Sequence, residues 1–312
     1  MVDALARRAA RIPGVAYLLV ALVLVFSILT PRFASAPNLF NIGTQSAILL
    51  LLALPMTFII MTEGLDLSMG AVLGLAGVVL AMLLVNGSAL PLALAAALGV
   101  GLLFGAANGL LVVILGMPPF VATLGTLGIA QGIALAATGG QSVVGIGNTL
   151  PSLYASSWLG LPFSVVVGAA GYAVFHFVLY YTRFGNYVFA IGGNREALML
   201  AGVRSRWYHL SIYSLGGLMA GFDALLLTGR MSAGHPIAAM GMEFDAIAAV
   251  VVGGTERQRG NGWLPGTVLG VLSVGVLKNG LNVLAVPSSL QVASIGLLLI
   301  TALLIDSIRR AK

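Results

Sequence analysis

The chain has 312 residues, of which 59% are apolar and only 8% charged, against about 25% charged in a soluble globular protein. No Asp, Glu, Lys or Arg occurs in the 116 residues from Leu67 to Thr182, so no water-facing surface can be built there. Composition excludes a soluble protein and points to a polytopic membrane protein; the +6 net charge, scattered over termini and short loops, reads as bilayer orientation rather than nucleic-acid binding.

A hydrocarbon core about 30 Å thick needs about 20 helical residues. Ten apolar runs fit: 14–30, 46–62, 67–86, 89–115, 119–137, 162–182, 208–228, 241–254, 263–280 and 290–307. They are continuous rather than alternating, which disfavours a β-barrel. The expected fold class is all-α: one transmembrane helical bundle over residues 1–312. Residues 1–13 form a cytoplasmic tail and 183–207 a cytoplasmic loop.

Direction follows from the basic residues. With the N-terminus inside, the cytoplasmic segments hold Arg7, Arg8, Arg11, Arg183, Arg195, Arg204, Arg206, Arg257, Arg259, Arg309, Arg310 and Lys312. The opposite side holds Arg32, Arg230 and Lys278. This bias supports an even number of crossings with both ends in the cytoplasm. The first run, followed by Ala34-Ser35-Ala36, resembles a secretory signal. It is long for one and further spans follow at once, so an uncleaved helix is expected. The eighth run is short for a crossing and reads as a half-helix or a tilted segment buried against neighbours.

Glycine accounts for 41 residues, about twice its usual share of about 7%. Pairs four apart, at Gly70/Gly74, Gly101/Gly105/Gly109, Gly128/Gly132 and Gly266/Gly270, suit close backbone approach in lipid.

Three places depart from plain lipid-facing helix. In residues 63–70 (EGLDLSMG), glycines on both sides of an acid break the helical run. Asp66 or Ser68 can cap the next helix at a cytoplasmic turn; acids near the membrane interior also line pathways. In residues 117–120 (MPPF), paired prolines end one helix and preset the next. Phe120, Thr123, Thr126 and Gln131 follow, and the threonines and glutamine either tie helices together or offer polar groups to a solute. The loop at 183–207 contains residues 193–202 (GNREALMLAG), a two-turn helix with Asn194 as N-cap, Glu196 in the first turn and Gly202 as the stop. Its polar ends and apolar middle suit lipid contact or a partner's groove.

Asp223 is an isolated acid inside the seventh run and a candidate proton relay. Glu243 and Asp245 open the eighth, where they favour a helix N-terminus or line a pathway. Cysteine is absent, the histidines at 176, 209 and 235 lack paired spacing, and no metal or cofactor is expected. No phosphate-binding GxxxxGK[ST] loop exists, because the only lysines are Lys278 and Lys312. ATP hydrolysis, where it powers this chain, resides on another subunit.

The runs 63–70 (EGLDLSMG), 118–125 (PPFVATLG), 138–141 (TGGQ), 192–203 (GGNREALMLAGV), 243–255 (EFDAIAAVVVGGT) and 279–284 (NGLNVL) occur in order. Together they resemble the ribose/xylose/galactose-type permeases of bacterial ABC importers. The resemblance implies a permease subunit rather than an enzyme, moving a sugar-like solute inward across the inner membrane by alternating access. Its implied partners are a second permease subunit (a second copy or a close homologue), two cytoplasmic ATPase subunits and a periplasmic solute-binding protein, with membrane lipid around it. Gly193, Asn194, Arg195, Glu196, Ala197, Ala201 and Gly202 would form the coupling helix seated on the ATPase. Asp66, Ser68, Phe120, Thr123, Thr126, Gln131, Glu243 and Asp245 are the candidates for the translocation path. The chain departs from the family at Glu256-Arg257-Gln258-Arg259, where a Gly-rich, weakly charged loop is usual. It departs also at Lys278, where asparagine is common, and at Asp223, where a small apolar residue is usual. The rival classes are an ion- or proton-coupled transporter using Asp223, and an intramembrane enzyme.

Overall fold

A computed structural model describes residues 14–255 and 260–310. Arg7, Arg8, Arg11 and the rest of the tail, the charged run Glu256, Arg257, Gln258 and Arg259, and Lys312 lie outside the described residues, as do the side chains of Arg309 and Arg310. In chain order the helices are α1 (Gly14–Leu29), α2 (Ala36–Met61), α3 (Met69–Val85), α4 (Leu90–Gly109, continued by a π-helical turn over Leu110–Ile114) and α5 (Pro119–Thr138). A short α6 (Thr149–Ala155) precedes α7 (Phe163–Tyr181), α8 (Arg183–Leu200) and α9 (Ser205–Met231). The chain closes with α10 (Met242–Val252), α11 (Leu264–Val283) and α12 (Ser288–Arg310). Two small ribbons sit between helices: β1 (Val143–Val144) pairs with β4 (Ala233–Gly234), and β2 (Ser157–Trp158) with β3 (Leu161–Pro162), both antiparallel.

Six helices are long and apolar enough to cross a bilayer: α2, α4 with its π turn, α5, α7, α9 and α11. Helices α1 and α3 and the first part of α12 are shorter and apolar. The chain is an all-α, multi-pass membrane protein. Helix α10 has 11 residues, about 16 Å at 1.5 Å per residue, roughly half a bilayer core.

Helix α2 is the hub, with 89% of its most apolar window buried. It starts at Ala36, ahead of the apolar run, because Pro37 is tolerated in a first turn and Asn38 exchanges amide hydrogen bonds with Asn279 on α11 (2.8 and 3.0 Å). Below Pro55, Thr57 meets Thr267 of α11 at 2.9 Å. Helix α1 packs on α11 by laying the Phe26 ring over Gly280.

The tightest crossing is α4 on α9. A methyl group at Gly105 would come within 3.0 Å of the Gly217 backbone, and one at Gly221 within 2.5 Å of the Ala97 carbonyl oxygen. Gly266 and Gly270 of α11 likewise seat the backbone of Gly253 and Ala249 at the end of α10. Gly128 and Gly132 differ: a methyl group there meets nothing within 4 Å, so this face of α5 packs on no described part of the chain. Gly105→Leu is therefore expected to destabilise the fold by about 1–3 kcal/mol or more, and Gly128→Leu to change little. Thermal unfolding of the two detergent-solubilised variants checks the contrast.

Candidate functional site

The turn between α2 and α3 lies deep in the bundle. Thr62 ends α2 by donating its hydroxyl to the Phe58 carbonyl (2.9 Å), and Glu63 and Gly64 reverse the chain. Asp66 and Ser68 are then buried, each 1% exposed. Asp66 Oδ1 accepts the Ser68 amide (2.9 Å) and hydroxyl (2.7 Å). Ser68 occupies the N-cap position of α3, but its backbone is helical (φ −85°, ψ −15°) and its side chain caps nothing. The hydroxyl turns instead toward Asp66 and Asn108. The first amide bonded within α3 is that of Val72, to the Ser68 carbonyl (2.8 Å), so the amides before it lack partners in the helix.

Asn108 of α4 joins the acid to a third helix. Its Nδ2 donates to Ser68 Oγ at 2.8 Å and to both Asp66 oxygens at 3.3 Å. Its Oδ1 accepts the Thr126 hydroxyl at 2.7 Å. Thr123, one turn earlier on α5, donates to the Pro119 carbonyl (2.8 Å) and reaches the Leu65 carbonyl at 3.4 Å. Four of the sequence candidates, Asp66, Ser68, Thr123 and Thr126, thus meet in one buried network.

The network sits at membrane depth. Helix α4 and its π turn run on beyond Asn108 to Ile114, and α5 starts at Pro119, a turn before Thr123. At 1.5 Å per residue the cluster lies roughly 6–10 Å in from those helix ends. The π-helical turn begins immediately after Asn108 and Gly109, a placement common at functional sites.

An irregular strap reaches the same place from the other end of the bundle. After α9, Gly234 packs on Gly77 and Ala81 of α3, the Pro236 carbonyl lies over Gly74, and the Ala239 carbonyl lies over Gly70. The strap thus descends the glycine face of α3 to its first turn, where α10 begins. Gly241, at φ +87°, turns the chain into α10. Glu243 is 3% exposed and its carboxylate lies against Gly70. Two helix N-termini therefore converge on a carboxylate, which their dipoles favour. Glu243 Oε1 accepts the Gly241 amide (3.2 Å), while Oε2 has no hydrogen-bond partner among the described residues.

The strap is tied down at two points. Gln131 Nε2 donates to the Pro236 carbonyl (3.0 Å), leaving its own buried Oε1 without a partner among the described residues. Ser142 bonds His235 Nδ1, beside the β1–β4 ribbon. Asp245, one turn along α10, forms an ion pair with Lys278 of α11. Phe120 stands apart, 54% exposed on the outside of α5. Asp223 is fully buried in α9, and neither oxygen has a hydrogen-bond partner among the described residues.

The segment 193–202 projects beyond the bundle. Helix α8 breaks at Asn194, whose backbone is extended (φ −158°, ψ 92°). Asn194 Oδ1 accepts the Ala197 amide at 2.9 Å, the side-chain bond of an N-cap. At the far end Gly202 (φ +79°) donates to the Met199 carbonyl (3.0 Å) and Val203 to that of Leu198 (3.3 Å), which is a Schellman stop. Gly193, Asn194, Glu196, Ala197, Ala201 and Gly202 are exposed and Arg195 is half-buried; Leu200 is 89% exposed. The root of the arm is wedged: a side chain at Gly192 would meet the Met61 carbonyl and Gly260.

Residues 38–303 match the family model described as branched-chain amino acid transport system / permease component. The chain belongs to this permease family. Among its curated relatives, the ribose import permease protein RbsC of Bacillus subtilis is 37% identical over 91% of this chain and 89% of its own. RbsC of Escherichia coli is 36% identical over 93% and 91%, and the D-allose transport system permease protein AlsC of Escherichia coli 34% identical over 94% and 90%. No solved structure matches the permease.

Asn108, Ser142, His235 and Lys278 complete these clusters and were not singled out as site residues from sequence. For Asn108 a signal exists: it is the only amide or charged side chain in α4 and its π turn. Asn108→Ala is expected to cost about 1–3 kcal/mol by leaving Asp66 and Thr126 short of partners. The thermal midpoint of the purified permease, compared with that of Asn108→Gln, measures it.

Proposed function

We propose that this chain is the membrane-spanning subunit of an ATP-driven importer for a monosaccharide or a solute of similar size. It works as a dimer in the bacterial inner membrane, served by a periplasmic solute-binding protein and two cytoplasmic ATPase subunits. One observation carries the reading: a two-turn helix, capped at Asn194 and stopped at Gly202, stands out from the bundle with Met199 and Leu200 bare. An apolar knob on a rigid, capped lever suits a groove in a partner that moves. The similarity to ribose and allose permeases supports the solute class.

Counting the strap with α10 as one return across the bilayer gives ten crossings, with both chain ends and the arm on the cytoplasmic face. ATP binding closes the ATPases, the arms follow, and the bundle passes between outward- and inward-facing states. The strap and the Asp66–Asn108–Thr126 network lie on the route. Glu243 Oε2 and Gln131 Oε1 are acceptors open to solute hydroxyls. Selectivity rests largely on the binding protein.

Gly202→Val forces a β-branched residue into left-handed backbone and should lower uptake severalfold in an assembled complex. ATP-dependent uptake in proteoliposomes, with subunit content checked, is the measurement; unchanged uptake would count heavily against the lever. A second reading, a gradient-driven transporter, draws on the partnerless Asp223 carboxyl. The importer reading expects Asp223→Asn to retain ATP-driven uptake and the chain alone to accumulate nothing. Gradient-driven accumulation by the chain alone, lost in Asp223→Asn, would establish the second reading.

A further inference from the structure

The hairpin β2–β3 stands at the end of α7 opposite the arm, and its tip is built against local preference. Leu159 (φ +55°) and Gly160 (φ +76°) form its two-residue turn. Two consecutive positive φ values suit a type I′ turn, whose first central position favours Asn, Asp or Gly. Leucine there is strained, and this leucine is 96% exposed. Trp158 beside it is 50% exposed.

The tip is not a loose loop. Trp158 packs edge-on against Phe163, the first residue of α7, with ring centroids 5.2 Å apart. Ser157 Oγ donates to the Leu161 carbonyl (3.2 Å), and the Phe163 amide to the Ser156 carbonyl (3.0 Å). Helix α6, which leads into the hairpin, is seated on α9 where Leu150 and Tyr154 cover Gly229. A rigid platform therefore holds an apolar pair outward, at a strained position, level with the start of a spanning helix.

We propose that Trp158 and Leu159 are a lipid anchor, inserted at the headgroup–acyl boundary of the leaflet opposite the arm. Tryptophan favours that zone for its amphipathic ring, and an apolar tip enters the boundary by about 5–10 Å. Residues 139–163 contain no Asp, Glu, Lys, Arg or His. The hairpin thus offers a soluble partner none of the charged groups that steer and register a protein–protein encounter. The helix it leads into is apolar outside as well: Val174 and Phe177 of α7 are each 60% exposed. The anchor fixes the height of the α6–α7 corner while the arm at the other end of α7 moves.

The chain has no cysteine, so Leu159→Cys provides a unique site for a nitroxide label. In the full chain in lipid bilayers, the label should be open to oxygen and shielded from a water-soluble nickel chelate. Independently, with Trp207→Phe and Trp263→Phe, Trp158 should emit blue-shifted light. Lipids brominated near the glycerol should quench it more than lipids brominated near the chain end. A label open to the nickel chelate together with water-like Trp158 emission would overturn the anchor. So would shielding that arises only when the solute-binding protein is added, or only when two copies associate. None of these readouts requires transport.

Discussion

Hydrocarbon offers the backbone no hydrogen bonds, so every stretch of chain that leaves the helix inside a membrane must be enclosed by protein. Two stretches here do so and meet: the turn carrying Asp66, and the strap between α9 and α10. Their enclosure explains much of the architecture. Helix α2 is buried almost throughout because the turn at its end needs walls. Helix α3 carries Gly70 and Gly74 because strap carbonyls lie where Cβ atoms would otherwise stand, and Gly77 because the Thr228 hydroxyl of α9 does. Asn108 comes from α4 to bond the acid that the turn brings inside, and Thr126 of α5 holds Asn108 in turn.

The same enclosure sets how firmly each part of the chain is held. A continuous helix crossing the bilayer is a stiff rod, whereas a strap held by two side-chain contacts and a short ribbon can shift with modest loss. The strap is tied through Gln131 and His235 to α5 and the segment after it. The arm is rooted at Gly192 against Met61, at the end of α2. The arm is thereby in contact with the helix whose turn leads into the polar network, and the network in turn contacts α5 through Thr126. Arm, turn and strap thus share neighbours within the bundle.

Local features were legible in the sequence and non-local ones were not. The arm could be read because its caps lie within ten residues: Asn194 and Gly202 act on amides and carbonyls of their own turns. The break at residues 63–70 was legible for the same reason. The role of Ser68 was misplaced, since its helical backbone directs the hydroxyl to Asp66 and Asn108 rather than to the helix start. The strap was hidden. Glycine, proline and histidine at 234–236 look like an ordinary outer loop, and only packing on the glycines of α3 sets its depth. The Gly128/Gly132 pair looked like the other close-approach pairs, and nothing in its spacing distinguished a face turned away from the chain.

Buried acids among the described residues are treated in four ways. Neither oxygen of Asp223 has a hydrogen-bond partner there. Asp66 is held by an amide, a hydroxyl and the Asn108 side chain, an arrangement that rewards staying still. Asp245 is matched by Lys278 of α11. Removing one partner of such a pair leaves a charge stranded in a medium that penalises it heavily. Glu243 alone combines a satisfied oxygen with an unsatisfied one, at a point where two helix N-termini and the strap come together. Oε2 of Glu243, partnerless among the described residues, keeps a hydrogen-bonding capacity that the carboxylate of Asp66 has already used.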